Sequence, residues 1–301
     1  MNILSIGNSF SQDAQRYLHE IAKSQGVELN TFNLCIGGCT LETHFRNMLS
    51  EERVYWLEMN GQSVGFNVSL KEALLNRAWD VVTVQQASHM SCKLDSYKPY
   101  MTELVAYIRK LCPQAKVALH QTWAYEKDSE RLASVGYNDY KKMFWDIQRI
   151  GFYNFYDNNL NMCIPSGEVF YYMLDAGIEK VHRDTFHATL GLGRYALGLT
   201  WYSMLTGNDV TDIAFDAFDE PVAEEDIAKT KAVVKRITKK YRAFNRMKKY
   251  ACAACGWMYN RDAGDARYNV PEGTKFEDLP EEFVCPQCGT PKVAFFLQDE
   301  K

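Results

Sequence analysis

Four cysteines near one end of the chain do the most to restrict its fold. Cys252-Ala-Ala-Cys255-Gly256 and Cys285-Pro-Gln-Cys288-Gly289 are two matching C-x-x-C-G turns. Four thiolates from two such turns converge on a tetrahedral site. The glycine after each pair lets the backbone turn sharply and aim N–H groups at sulfur. In a reducing compartment such pairs are metal ligands rather than disulfides. Tetrahedral sulfur suits iron or zinc, and geometry alone does not separate them. The other five cysteines, Cys35, Cys39, Cys92, Cys112 and Cys163, are scattered over the N-terminal part. They read as small buried hydrophobes. At 301 residues, the chain is long enough for one large domain with a small module attached.

Residues around the cysteines carry a further pattern. Gly256-Trp257-x-Tyr259 follows the first pair, then Gly264-Asp265, then Pro271-x-Gly273-Thr274-x-Phe276-Glu277-Asp278-Leu279-Pro280, and Lys292 follows the second pair. Over residues 250–296 this resembles rubredoxin. The resemblance implies one iron ion on Cys252, Cys255, Cys285 and Cys288, single-electron transfer, and a redox partner protein. It also implies a small core built on Trp257, Tyr259, Phe276 and Phe283. The same thiolates would accept zinc in a recombinant sample, and the bare pairs alone would fit a structural zinc ribbon. Trp257, Phe283 and the Arg267-Tyr268-Asn269 turn depart from the commoner pattern, without loss of a ligand.

The remainder reads as strands alternating with helices. An apolar run at 3–6 ends at Gly7-Asn8, and helical spacing follows over 13–24. A strand is expected at 27–34, the glycine loop Cys35-Ile36-Gly37-Gly38-Cys39 next, and a helix at 41–48. Asn60-Gly61 between two semi-alternating runs predicts a β-hairpin over 54–68. Ser69-x-x-Glu72 is a capping box for a helix closing near Trp79. Strands are expected at 80–85, 116–123 and 152–156. Helices are expected at 97–111, 129–150 with an irregularity at Gly136, 166–175, and 189–205 closed by Gly207. Residues 212–225 are acidic and irregular, and 226–249 form a basic terminal helix with Ile227, Val234, Ile237, Tyr241 and Phe244 on one face and its lysines and arginines on a solvated face. This order means a parallel, doubly wound sheet. The expected division is 1–222 for the large domain, 223–249 for the terminal helix and linker, and 250–301 for the metal module.

One stretch of the large domain carries chemistry. Gly7-Asn8-Ser9-Phe10-Ser11 lies at a strand-to-helix elbow, on the sheet edge where open α/β proteins bind ligands. A serine there can be both nucleophile and, through its own N–H, oxyanion donor. Acyl transfer also needs a base held in one tautomer, and Asp184-Thr185-Phe186-His187 offers a carboxylate and an imidazole three residues apart. This combination, with the Gly37-Gly38 loop, resembles the SGNH (GDSL-like) hydrolases over about residues 1–210. The resemblance implies a three-layer α/β/α sandwich with a flavodoxin-like parallel sheet. It implies Ser9 as nucleophile, His187 as general base, Asp184 as its orienter, and the Ser9 and Gly38 N–H groups as oxyanion donors.

Two departures matter. Asn8 replaces the family's aspartate, a supporting position. The third block, G-x-N-D in the family, is replaced by Gln85-Gln86-Ala87-Ser88-His89. A glutamine amide can donate as an asparagine does, so Gln85, with Gln86 behind it, is the expected third oxyanion donor. His44 and Trp123 are expected to line the substrate pocket, with His120 on the same edge.

The expected activity is a serine esterase or acyl hydrolase, with carbohydrate O-deacetylation within its range, fused to an electron-transfer module. The alternatives are an electron-transfer protein whose large domain is a non-hydrolytic docking scaffold, or an acyltransferase using the same residues. A net charge of -4 gives no reason to expect nucleic acid or an anionic membrane as partner. No apolar run reaches eighteen residues, and the first residues lack a cationic segment, so a cytoplasmic protein is expected.

Overall fold

The first strand, β1 (Asn2–Gly7), runs up the middle of a seven-stranded sheet. A computed structural model of the protein describes residues 1–245, 250–261 and 263–297. Residues 246–249, the end of the expected terminal helix and linker, lie outside the described residues. After β1 come α1 (Ser9–Gln15), α2 (Leu18–Ser24), β2 (Asn30–Cys35), α3 (Leu41–Ser50), β3 (Tyr55–Met59), β4 (Gln62–Val68) and α4 (Leu70–Leu75). Then follow β5 (Val81–Val84), α5 (Tyr100–Leu111), β6 (Lys116–His120), α6 (Glu130–Ser134), α7 (Tyr140–Asp157), β7 (Met162–Ile164), α8 (Ser166–Asp175), α9 (Leu192–Thr206) and α10 (Glu224–Asn245).

The sheet order is β4-β3-β2-β1-β5-β6-β7. Five strands, β2-β1-β5-β6-β7, pair in parallel, which is the flavodoxin-like order once the antiparallel β3–β4 hairpin is set aside. Helices α1, α2, α8, α9 and α10 pack among themselves, as do α3, α4 and α5, giving a three-layer α/β/α sandwich. Buried strands need apolar residues on both faces. Val81, Val82 and Val84 of β5 are all buried, each contributing about 1.5–3 kcal/mol of transfer free energy. The strand order reverses at the β1/β5 junction, so the C-terminal end of β1 opens beside the crevice where such sheets bind ligands.

The hairpin forms at the expected place, with Asn60 at φ 51° and Gly61 at φ 75°, the left-handed pair that a two-residue turn requires. Ser69 and Glu72 make the expected capping box at the start of α4. The strand expected at 152–156 is instead the last part of α7. Its aromatics suggest a strand by propensity, but Phe144, Ile147, Gln148, Gly151 and Phe155 are buried at helical spacing. The last strand of the sheet is β7, which follows that helix.

Helix α10 packs firmly on the large domain. Val233, Val234, Ile237 and Tyr241 are buried, and the Tyr241 hydroxyl donates to Glu168 Oε2 at 2.6 Å. The chain then forms a second core of Tyr259, Val270, Phe276, Leu279, Phe283 and Phe295 around Cys252 and Cys285. Trp257 packs against it, and β8 (Tyr250–Cys252) pairs antiparallel with β9 (Phe295–Leu297). Among the described residues, no helix is long and apolar enough to cross a membrane.

Candidate active site and metal centre

At the end of β1 each residue of the elbow has a separate task. Gly7 admits a very close approach: a Cβ there would lie 2.3 Å from Ser11 Oγ and 3.0 Å from Gln85 Oε1. Asn8 caps α1 from extended backbone, its Oδ1 accepting the Phe10 N–H at 3.0 Å. Ser11 Oγ accepts the Asn8 N–H at 3.1 Å and donates toward Asn33 Oδ1 at 2.7 Å, pinning the turn to β2. The Phe10 ring stacks on Trp123 with centroids 3.8 Å apart and planes 4° from parallel. Ser9 is the first residue of the helix, so its N–H has no intrahelical acceptor.

The structure brings Ser9 to His187, 178 residues away, and to Asp184 beside it. Ser9 Oγ lies 2.8 Å from His187 Nε2, and His187 Nδ1 lies 2.7 Å from Asp184 Oδ2. Asp184 Oδ1 accepts the His187 backbone N–H at 2.9 Å. With Nδ1–H donated to the carboxylate, Nε2 carries the lone pair that faces the serine hydroxyl. Burial pushes the Asp184 carboxyl up. The hydrogen bonds from the His187 ring and backbone, with the His187 and Arg183 charges, outweigh this and hold it below its usual value. The His187 side chain is 18% exposed and that of Asp184 47%, so the pair sits at an open edge.

The loop that carries them is closed at its neck and propped from one side. His182 and Ala188 form an antiparallel bridge, and Arg183 N–H donates to His187 O at 2.9 Å. Trp123 Nε1 donates to Phe186 O at 2.6 Å, and Glu126 N–H to Thr185 O at 2.8 Å. Asp13, which belongs to none of the sequence motifs, is wholly buried and receives Arg183, Arg194 and the Ala188 N–H. The signal available in the sequence is its place four residues after Ser9, on the same face of a helix.

Several expected pocket residues sit elsewhere. Gln86 Nε2 spends its protons on Ser96 O and Ser96 Oγ, both at 3.0 Å, and its Oε1 accepts from Leu41 and Ala87 N–H. It is a loop brace, not an oxyanion donor. Gln85 is buried beneath the elbow. Its Nε2 donates to Asn8 Oδ1 at 2.8 Å, and its Oε1 pairs with His120 Nδ1 at 2.8 Å, so its amide supports Asn8 instead of facing the serine. His120 Nε2 in turn meets Ser166 Oγ at 3.0 Å. His44 is a core histidine, stacked on Tyr55 with Nδ1 3.0 Å from its hydroxyl. Trp123 is wholly buried and forms the floor under Phe10, with no face open to a substrate. Burial drives the pKa of His44 and of His120 down to about 3 and that of His182 down to about 4, which keeps all three neutral.

The Gly37-Gly38 turn lies beside the elbow, because β2 pairs with β1 up to Gly7 and Cys35. Gly38 has φ 63°, a left-handed conformation that glycine adopts freely, and Cys39 N–H closes the turn on Ile36 O at 3.1 Å. Asn8 Nδ2 donates to Cys39 O at 3.2 Å and ties this turn to the serine's own.

The four C-terminal cysteines also converge. Their sulfurs all lie within 4.8 Å of one another, with Cys252–Cys288 at 3.6 Å and Cys255–Cys285 at 3.5 Å. Metal–sulfur bonds of about 2.3 Å put tetrahedral sulfurs about 3.8 Å apart, so the set fits one ion. The knuckles match in detail: Gly256 N–H donates to Cys252 O and Gly289 N–H to Cys285 O, both at 2.9 Å, and both glycines have φ 74°. The Thr290 hydroxyl and backbone N–H bond to Cys288 and bring its thiol down to about 6. Cys288 is exposed and Cys255 half-buried, whereas Cys252 and Cys285 are buried.

Comparison with known proteins matches two families to separate parts of the chain. The family described as domain of unknown function (DUF4886) matches residues 2–235, and rubredoxin matches residues 249–295. The crystal structure of a DUF4886 family protein from Bacteroides uniformis superimposes with a TM-score of 0.73 and 31% identity, covering 78% of this chain and 93% of that one. Rubredoxin-2 of Desulfovibrio desulfuricans is 58% identical over 47 residues, which is 15% of this chain and 76% of that protein. A structure described as a candidate SGNH hydrolase, from Slackia heliotrinireducens, matches at a TM-score of 0.49 and 19% identity, over 67% of this chain and 97% of that one. A likeness that loose carries no functional argument.

Proposed function

The chain belongs to the DUF4886 family and carries a C-terminal rubredoxin domain, and from that premise we propose that its large domain is a serine hydrolase of carboxylic esters. One observation carries the reading: Ser9 Oγ, His187 and Asp184 are joined by hydrogen bonds of 2.8 and 2.7 Å at the crevice end of β1. Ser9 attacks the ester carbonyl while His187 Nε2 takes its proton, and the Asp184 carboxylate steadies the imidazolium that forms. The Ser9 and Gly38 N–H groups receive the oxyanion. His187 then protonates the leaving alcohol, and water, activated by the same imidazole, releases the acid. The open edge around Asp184 and His187 leaves the serine accessible to an ester, and O-acetyl sugars are the substrate class that the SGNH resemblance suggests.

The four cysteines are the ligands of the rubredoxin domain's one iron ion, which supplies single-electron transfer when bound. A redox partner protein and a small ester are therefore the two separate ligands of the chain. The reading is tested by hydrolysis of a panel of short-chain aryl esters and acetylated sugars by the wild type and by Ser9→Ala. We expect turnover in the first and a loss of at least about 10³-fold in the second. A wild type inert on the whole panel, with an intact iron–thiolate spectrum, favours the scaffold alternative.

A further inference from the structure

The catalytic pair depends on a loop, and loops hold geometry only when something fixes them. Two residues of the loop, Arg183 and Ala188, and Arg194 of α9 converge on one carboxylate. Asp13 Oδ1 accepts from Arg183 Nη1 at 3.0 Å and from Arg194 Nε at 2.9 Å, while Oδ2 accepts from Arg183 Nη1 at 3.0 Å and from the Ala188 N–H at 3.1 Å. Arg183 immediately precedes Asp184, and Ala188 immediately follows His187. Arg183 Nη1 also donates to Ala188 O, so the guanidinium links the two ends of the loop to each other as well as to Asp13. Asp13 itself lies on α1, one turn after Ser9. The side chain is 0% exposed, so its charge is fully desolvated and its position is set by these partners alone.

We propose that Asp13 is a positioning residue, a buried clamp that fixes both ends of the Asp184–His187 loop to the helix carrying the nucleophile. It touches neither substrate nor imidazole. Its effect is on the register between Ser9 Oγ and His187 Nε2, whose segments are otherwise joined on this face by the packing of Phe10 against Trp123, Phe186 and His187 and by the Trp123 bond to Phe186 O. Arg194 is held in place from behind by Asp219, which also binds Arg16 of the α1 C-terminus, so the clamp is braced on both sides. A misplacement of about 1 Å between nucleophile and base costs on the order of 10²-fold in rate.

The inference rests on the hydrolase reading, and its test separates the two. Asp13→Asn keeps the volume but turns an amide toward donors, breaking one attachment. In the full chain we expect kcat to fall on the order of 10²-fold with KM within about twofold, because substrate contacts are untouched. We also expect the downfield proton resonance of His187 Nδ1–H, assigned by its loss in Asp184→Asn, to broaden or vanish. Arg183→Met, which removes the single Nη1 donor that makes the bonds to Asp13 and to Ala188 O, is the second variant and carries the test if Asp13→Asn does not fold. Unchanged kcat together with an unchanged resonance in a folded variant overturns the proposal. If the wild type hydrolyses no ester, the resonance alone decides Asp13, and only the hydrolase reading has failed.

Discussion

Gly7 shows how tightly the elbow is drawn. A methyl group there would enter the space of Ser11 Oγ and Gln85 Oε1, neither of which is free to move, since one bonds Asn33 and the other His120. Gly7→Ala should therefore lower stability by about 1–3 kcal/mol and displace Ser9, read as a drop in Tm with slower acylation. The buried histidines make a second prediction. In the unfolded chain each titrates near 6.5, whereas folded His44 and His120 stay neutral down to about 3 and His182 to about 4. The unfolded state thus binds more protons across that window, and stability must fall as pH drops below about 6.5. The slope is at most about 1.4 kcal/mol per pH unit for each histidine. Unfolding followed between pH 7 and 4 checks this, and His120→Gln should flatten the curve. The residues of the 7–11 motif are legible from sequence because each acts locally, through a cap, a turn or a close approach. Gln85, Gln86 and Asp13 are not. Which way an amide or carboxylate points depends on Asn8, Ser96, Arg183 and Arg194, partners brought up by the fold.

The hairpin and α7 make the opposite pair among the elements. Asn60-Gly61 marks its turn from two residues, because few other residues accept paired positive φ values. Gly61→Ala should be costly, since its Cβ would lie 2.6 Å from Arg16 O, and we expect a lowered Tm. This tip sits at the N-terminal end of β2, away from the elbow, so esterase activity per folded molecule should stay within about twofold. In α7 the run Phe152-Tyr153-Asn154-Phe155-Tyr156 has strand propensity that the periodicity of Phe144, Ile147, Gly151 and Phe155 overrides. Continuity with the helix before it decides the outcome, and a five-residue window cannot register that.

At the scale of the whole molecule two chemistries stand on two cores. Strand alternation made the sandwich readable, and two cysteine pairs made the metal module readable. The reversal of strand order that places the elbow at a crevice emerges only from the pairing of β1 with both β2 and β5. Cys285→Ala should abolish the visible iron–thiolate absorption and unfold the small module, because metal binding supplies its folding energy. Ester turnover by the large domain, whose core is separate, should persist in that variant. If Ser9 is a nucleophile activated by His187, a fluorophosphonate must react with it, and peptide mapping of the labelled protein shows where. One adduct is expected, on Ser9, near one per chain, absent in Ser9→Ala and formed far more slowly in His187→Ala. An adduct that persists in Ser9→Ala, or a folded wild-type protein that takes up no label, would contradict that role of Ser9.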